Sequence, residues 1–220
     1  MKSGFQTGLE RRRFLTGLGA ASVPLLVTGL PVQAAPKFPV TPRQSEGPFY
    51  PTNWAGDIDW DLVRVQGEAA EAMGQVTYIT GRIRDRSGSV IPQAKVEIWQ
   101  CDGNGRYRHP RDRRANPRDI GFQGRGRALT DDQGRYRFRT IRPVPYPGRT
   151  PHIHFAVRTP SGPRLVTQMY VRGDPGNRRD SLLNSIRNRK VRERLLVDLN
   201  PADRLETGAL AGTFDIVLDA

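Results

Sequence analysis

Two histidines, His152 and His154, are two of only three in the 220-residue chain, and their spacing is the most chemically informative pattern in the sequence. They lie in the segment Pro-His-Ile-His-Phe (151–155), whose apolar residues predict a β-strand. Side chains alternate along a strand, so both imidazoles would project from one face, with Cα atoms about 6–7 Å apart. This spacing suits two ligands of one metal ion. It also suits a pair of hydrogen-bonded histidines on a sheet.

Two tyrosines extend this candidate site. Tyr146 lies six residues before His152, in Pro-Val-Pro-Tyr-Pro, and Tyr107 lies where a strand would end in a turn. Together the four side chains would form a ligand set without a carboxylate or a thiolate. Phenolate oxygens are hard anionic donors that favour a hard, oxidised ion, so the set predicts ferric iron rather than zinc.

A series of short segments around these residues resembles the intradiol ring-cleavage dioxygenases, and within them the iron-binding beta subunits of protocatechuate 3,4-dioxygenases. The segments follow the family's order and together span roughly residues 41–176. They are TPRQSEGPFYP (41–51), VEIWQ (96–100), GRY (105–107), GR (126–127), TD (130–131), GRYRF (134–138), TIRP (140–143), YP (146–147), RTPHIHF (149–155) and TQMY (167–170).

The resemblance implies an enzyme that uses Fe(III) and O2 to cleave a catechol-type ring between its two hydroxylated carbons, giving a cis,cis-muconate-type product. The implied iron ligands are Tyr107, Tyr146, His152 and His154. Tyr146 would leave the iron when a catechol chelates, and would take up one catechol proton. The resemblance also implies catalytic roles for Arg149 and Gln168. The expected partners are a small catecholic molecule and O2, with the particular catechol and the oligomeric state, a homo-oligomer included, left open.

Residues near the candidate site allow further predictions about the pocket wall and about burial. The peptide Gly-Pro-Phe-Tyr (47–50) resembles one that lines the family's substrate pocket, and a rigid N-terminal turn is the equal alternative. The segment 147–151 is shorter than in protocatechuate dioxygenases and lacks their tryptophan, which predicts a different pocket wall. Trp99 is expected to pack in the core, Tyr170 to have no chemical role, and His109, in a charged loop, to be exposed.

Two other functions remain open at this point. A hydrolytic zinc site would keep the metal, although zinc sites rarely use tyrosine ligands. The segment 81–96 also resembles transthyretin-like and carboxypeptidase-regulatory β-sandwich modules, many of which only bind or stabilise. Such modules lack the Tyr, Tyr, His-x-His set. A burgundy colour, from charge transfer between tyrosinate and iron, would therefore separate these functions.

Residues 1–34 are predicted to be a twin-arginine signal peptide. Arg11 and Arg12 form the arginine pair, a modestly apolar stretch follows at 15–32, and Val-Gln-Ala (32–34) is a small-residue cleavage site. Because glycines, prolines and polar residues interrupt the stretch, it is a poor membrane span, but an uncleaved anchor remains the alternative. Export by this route carries folded proteins, so iron could be bound before export. The predicted location is the periplasm or the exterior.

The chain carries a net charge of +13, of which 10 positive charges remain beyond the predicted leader. The basic residues are spread through turns and form no helical stripe with interleaved aromatics. This pattern favours attraction of anionic aromatic molecules and argues against nucleic-acid binding. The single cysteine, Cys101, cannot form an internal disulfide.

Residues 35–220 are predicted to form one mostly β domain, a β-sandwich with long loops and short helices. Runs rich in Val, Ile, Tyr, Phe and Thr alternate with Gly, Pro, Asn and Asp turns, as in sandwiches. Residues 102–128 are expected to be a long irregular, functional loop. The predicted strands are 76–84, 94–100, 136–141, 153–158, 164–170 and 213–218, with turns at 85–88 and 131–134 and short helices near 180–186 and 190–196.

Overall fold

The computed structural model describes residues 38–160, 162 and 164–219, so the predicted leader lies outside the described residues. In this part of the chain the strands are β1 (Val76–Arg84), β2 (Lys95–Trp99), β3 (Arg125–Leu129), β4 (Arg135–Ile141), β5 (His152–Arg158), β6 (Arg164–Val171), β7 (Leu196–Val197), β8 (Asn200–Pro201), β9 (Leu210–Thr213) and β10 (Ile216–Val217). The α-helices are α1 (Ser181–Asn184) and α2 (Arg189–Arg192), with 3₁₀ turns at Pro175–Arg178 and Glu193–Leu195.

The strands form two five-stranded sheets, which confirms the predicted mostly β sandwich. In the first sheet β1 is central. It pairs with β4 on one side and with β9 and β10 on the other, and β8 extends the sheet beyond β9. The second sheet has the order β3-β2-β5-β6-β7. Within it β2, β5 and β6 are antiparallel neighbours, so their side chains meet in cross-strand rows.

The main hydrophobic core lies between the sheets and determines which way the histidines point. On β5, Ile153, Phe155 and Val157 belong to this core. Alternation along the strand therefore turns His152 and His154 to the opposite, outer face of the second sheet. A smaller apolar cluster covers that outer face. Its buried members are Trp99, Cys101, Tyr107, Ala156 and Val166.

Most predicted strands are confirmed to within one or two residues of their ends, but the last is split. The prediction of one strand over 213–218 was wrong, because the chain leaves strand pairing at Phe214 and Asp215. The ring of Phe214 is buried in the main core. The carboxylate of Asp215 accepts a hydrogen bond from the backbone N–H of Arg82 at 2.8 Å, which replaces a backbone acceptor.

The strand β3 was missed, since all but its last residue lies in the stretch 102–128 that was predicted to be irregular. It pairs antiparallel with β2. A side chain at Gly126 would lie 2.6 Å from the carbonyl oxygen of Asp59, so glycine allows the segment 59–62 to cross this strand. The rest of the stretch is irregular as predicted. Asp102 organises it by accepting backbone hydrogen bonds from Asn104 and Asp119.

The helices are short, as predicted, and each is capped by a side chain. Asp180 accepts a hydrogen bond from the backbone N–H of Leu183 at α1, and Asn188 caps α2 in the same way. Within residues 38–219, as far as the structure describes them, no helix combines the length and apolar character needed to span a membrane.

Candidate metal centre

His152 and His154 stand side by side on β5 with their ring centroids 4.9 Å apart, and both are buried. The strand register sets their neighbours. His154 lies opposite Trp99 on β2 and Gln168 on β6, and His152 lies opposite Tyr170 on β6. Cross-strand partners share a face, so all five side chains project to the outer side of the second sheet.

The two tyrosines reach this face from loops. The turn after β2 delivers Tyr107, whose backbone N–H donates to Asp112 at 2.7 Å. Tyr146 lies at the start of a tight turn that its backbone closes with Arg149. The hydroxyl oxygens of Tyr107 and Tyr146 each lie 3.4 Å from Nε2 of His152.

These distances suit donors that share one metal ion. Two ligand atoms bound at about 2.0–2.1 Å, at an angle of about 90–110°, would lie about 2.9–3.4 Å apart. The backbone carbonyl of Thr150 lies 2.6 Å from Nδ1 of His152. A carbonyl only accepts, so Nδ1 carries the proton and the lone pair of Nε2 faces the two phenol oxygens. The donor atoms therefore fit a metal ion.

His154 is held differently, because its side chain makes no hydrogen bond within the described part of the chain. Its Nδ1 is buried and has no hydrogen-bond partner among the residues that the structure describes. Trp99 stacks on one face of the ring, with centroids 4.8 Å apart and an interplanar angle of 8°. Gly47, at φ +71°, lies close enough to the ring that a side chain there would be 3.4 Å from Cε1. An imidazole fixed by stacking keeps its nitrogens free for coordination.

The electrostatics of the four side chains also favour a cation between them. Burial, and then the positive charge of Arg149, lower the pKa of His152 to about 4, and burial holds the pKa of His154 well below its usual range. Both imidazoles are therefore neutral at pH 7, and each has a nitrogen lone pair that can bind a metal ion. Burial raises the pKa of Tyr107 well above its usual value and also raises that of Tyr146. A multivalent cation would supply the charge that these phenols need to ionise.

The donor types at this face distinguish it from a carboxylate or thiolate metal site. The described residues contain no group of three or more His, Cys, Asp or Glu side chains arranged to hold a metal ion. Cys101 belongs to the same small cluster, but burial raises the pKa of its thiol to about 12, so it stays protonated. The donors at this face are phenol oxygens and imidazole nitrogens, which suit hard or borderline ions.

Arg149 and Gln168 lie beside the four side chains and bond to each other. Nη2 of Arg149 donates to Oε1 of Gln168 at 2.5 Å and to the hydroxyl of Tyr170 at 3.2 Å. The amide of Gln168 donates in turn to the backbone carbonyl of Ser45 at 2.8 Å. The structure thus brings together all six residues singled out from the sequence.

Comparison with known proteins identifies the family. A family model described as "Dioxygenase" matches residues 45–220. The chain belongs to the intradiol ring-cleavage dioxygenase family. It is 37% identical over 200 residues to the protocatechuate 3,4-dioxygenase beta chain of Burkholderia cepacia, a match that covers 85% of each chain. It is 31% identical to the catechol 1,2-dioxygenase of a Pseudomonas species, covering 61% of this chain and 48% of that relative.

Solved structures of intradiol dioxygenases share the fold. The dioxygenase domain of a dioxygenase–carbohydrate-binding fusion protein from Streptomyces superposes with a TM-score of 0.65 at 30% identity, covering 83% of this chain and 99% of that domain. Catechol 1,2-dioxygenase from Acinetobacter superposes with a TM-score of 0.61 at 28% identity, covering 81% of this chain and 62% of that one.

Membership settles the class of function. This intradiol dioxygenase is an oxidoreductase that cleaves aromatic rings, and iron is the metal that its family uses. The comparisons lend no support to a non-catalytic transthyretin-like module, the alternative that segment 81–96 had left open.

Sequence reasoning missed several residues around the centre of this dioxygenase. The sequence predicts no chemical role for Tyr170, yet its hydroxyl accepts a hydrogen bond from Arg149. Asp180 also bonds to Arg149, and the sequence indicated it only as the first residue of a predicted short helix. The expectation that His109 is exposed was wrong. It is buried against Phe49, with ring centroids 5.7 Å apart, and its Nδ1 accepts a backbone hydrogen bond from Arg111.

Proposed function

We propose that this dioxygenase binds one Fe(III) ion and uses O2 to cleave catechol-type rings between the two hydroxylated carbons, giving cis,cis-muconate-type products. The proposed ligands are Tyr107, Tyr146, His152 and His154. The observation that carries the proposal is the approach of two phenol oxygens to 3.4 Å from an imidazole nitrogen whose other nitrogen is bonded to a carbonyl.

The ferric state is inferred from the donor chemistry. Two phenolates bring two negative charges to the ion, and hard anionic oxygens stabilise the higher oxidation state. When bound, the ferric ion would supply Lewis acidity toward a chelated catecholate. The neutral imidazoles of His152 and His154 complete the set without adding charge.

Tyr146 is the better candidate for the ligand that gives way to substrate. Tyr107 is buried, stacks on Phe49 with ring centroids 4.8 Å apart, and is anchored through its backbone to Asp112. Tyr146 is only partly buried and sits in a short exposed turn. Moving Tyr146 therefore breaks fewer contacts. Its phenolate oxygen would accept one catechol proton as it leaves, the role of a positioned base.

Arg149 is proposed to stabilise negative charge on the substrate ring. Its guanidinium is mostly buried and fixed from two sides, by Asp180 and by Gln168. A preorganised cation in a site shielded from water lowers the energy of a transition state in which the ring becomes more anionic.

The substrate class is inferred from relatives and from charge. Relatives are named for protocatechuate, catechol and hydroxyquinol. The positive balance of the chain, with 35 basic against 22 acidic residues, favours the encounter with carboxylated catechols. Purified protein should be assayed for O2 uptake and product with all three compounds. Ring opening beside the diol instead of within it, or no reaction with any of them, would contradict this function.

We also propose that residues 1–34 direct twin-arginine export to the periplasm or the exterior. The supporting pattern is the pair Arg11 and Arg12 ahead of a modestly apolar stretch. Replacing both with lysine should leave folded precursor in the cytoplasm. Unchanged export of that double variant would contradict the proposal.

A further inference from the structure

Asp180 presents a fully buried carboxylate to the loop between Tyr146 and His152. Its side chain is 0% exposed. One oxygen accepts from Nε of Arg149 at 2.8 Å and from the backbone N–H of Thr150 at 3.1 Å. The other oxygen accepts from the backbone N–H of Leu183 at 2.9 Å.

The opposite side of the Arg149 guanidinium is held as firmly. Nη2 donates to Gln168 and Tyr170. The hydroxyl of Tyr170 is itself fixed, because it donates to Oε1 of Gln44 at 2.5 Å. These bonds occupy Nε and Nη2. Within the described residues Nη1 makes no hydrogen bond, so it is the guanidinium nitrogen that the surrounding side chains leave free.

Capping of α1 does not by itself explain an aspartate at this position. The cap uses only the oxygen that binds Leu183, and serine or asparagine can cap about equally well. The second oxygen accepts hydrogen bonds from Arg149 and from the backbone N–H of Thr150. Burying a carboxylate costs free energy unless an opposite charge and hydrogen bonds compensate it. Here the guanidinium of Arg149 supplies the opposite charge, and the backbone N–H groups of Thr150 and Leu183 supply further hydrogen bonds.

We propose that Asp180 is a positioning residue for ring cleavage, which holds the guanidinium of Arg149 in the orientation that presents its free donor to the substrate ring. This inference rests on the proposed function. Within the described residues the side chain of Asp180 makes no hydrogen bond to the four proposed iron ligands, and its contact with a proposed catalytic group is the ion pair with Arg149.

The chain offers a matched control in Asp174. It also lies ahead of a short helical turn, where it accepts a hydrogen bond from the backbone N–H of Gly176. It also bonds to Thr150, but through the hydroxyl, at 3.0 Å, and it makes no bond to Arg149. Asp174→Asn therefore removes the same charge from the same region without releasing the guanidinium.

The test compares four variants: Asp180→Asn, Asp174→Asn, Arg149→Ala and the double variant Asp180→Asn/Arg149→Ala. Iron content, thermal stability, kcat per bound iron and KM are measured for each. We expect Asp180→Asn to keep its iron and to lose about 100-fold in kcat, the scale of a misplaced catalytic group, with KM little changed. Asp174→Asn should keep wild-type kcat and lose little stability, because asparagine retains the acceptor oxygen that Asp174 uses. In the Arg149→Ala background, Asp180→Asn should add almost no further loss of kcat.

Three outcomes would overturn the positioning role: wild-type kcat in Asp180→Asn, a loss that is equally large in the Arg149→Ala background, or a loss explained by missing iron. If Asp180→Asn does not fold, Asp180→Ser keeps a capping oxygen and serves the same comparison. A wild-type protein that cleaves no catechol contradicts the proposed function instead, so the two failures are distinguishable.

Discussion

The indole ring of Trp99 lies parallel to the imidazole ring of His154, with an interplanar angle of 8°. The register of β2 and β5 places the two residues directly opposite each other. The imidazole of His152 is oriented by a hydrogen bond to the carbonyl of Thr150. The His154 side chain makes no hydrogen bond within the described residues, so stacking on Trp99 orients its ring instead. One proposed ligand is thus oriented by a hydrogen bond and the other by an aromatic ring.

This relationship predicts how iron binding depends on Trp99. Trp99→Leu should release iron faster than wild type, because the imidazole of His154 loses the ring that orients it. Trp99→Phe keeps an aromatic face and should retain iron better than the leucine variant, although both lose buried area. Iron release to a chelator, followed over time in folded protein, measures the effect. Equal release from the two variants would show that stacking has no part in holding His154.

The two tyrosines should differ when each is replaced with phenylalanine. Tyr146→Phe should retain iron, since three protein ligands remain, but should lose about 10²–10⁴-fold in turnover, the range for removing a positioned base. Tyr107→Phe should weaken iron retention or shift the visible band of the substrate complex, because that ligand stays bound throughout. Iron content, spectra and O2 uptake measure both effects. Wild-type turnover in Tyr146→Phe would refute its role as a base.

Outside the site, stability at acid pH should depend on Glu206. Its carboxylate accepts two hydrogen bonds from Arg139, at 2.7 and 2.8 Å, and one from Tyr78. The hydrogen bonding to Arg139 lowers the pKa of Glu206 below its usual value. A carboxyl whose pKa is lower in the folded state stabilises the fold above its unfolded pKa, and this contribution disappears as the pH falls through the folded value.

Glu206→Gln should therefore be less stable than wild type at pH 7, and its free energy of unfolding should fall less steeply between about pH 5 and pH 3. Glu68→Gln is the control, since Glu68 is exposed and forms no salt bridge among the described residues. Urea unfolding over that pH range provides the measurement. Parallel pH dependences for Glu206→Gln and wild type would contradict the assignment.

The sequence predicted the sandwich because most of its strands are rich in β-branched and aromatic residues. It missed β3, whose residues Arg-Gly-Arg-Ala-Leu lack both, because pairing with β2 and the crossing segment 59–62 impose the strand there. Local propensity could not predict a strand that tertiary contacts determine.

At the candidate site, too, local sequence indicated some residues and tertiary contacts determine the others. His152 and His154 are neighbours on one strand, and Tyr146 and Arg149 lie just before them, so local spacing brought these residues to notice. Asp180 lies 31 residues beyond Arg149, and only the fold brings its carboxylate to the guanidinium. His109 is buried because its ring packs on Phe49, which lies 60 residues earlier in the chain. The charged sequence around His109 does not indicate this contact.

The most direct test of a ferric centre built from these side chains is the iron content and visible spectrum of the purified, iron-loaded protein. Four protein ligands that include two tyrosinates predict close to one iron per chain and a broad visible absorption, from charge transfer between tyrosinate and iron. Both should be lost together in a Tyr107→Phe/Tyr146→Phe double variant. A folded, soluble wild-type protein that stays colourless and binds no iron after loading would contradict the central claim.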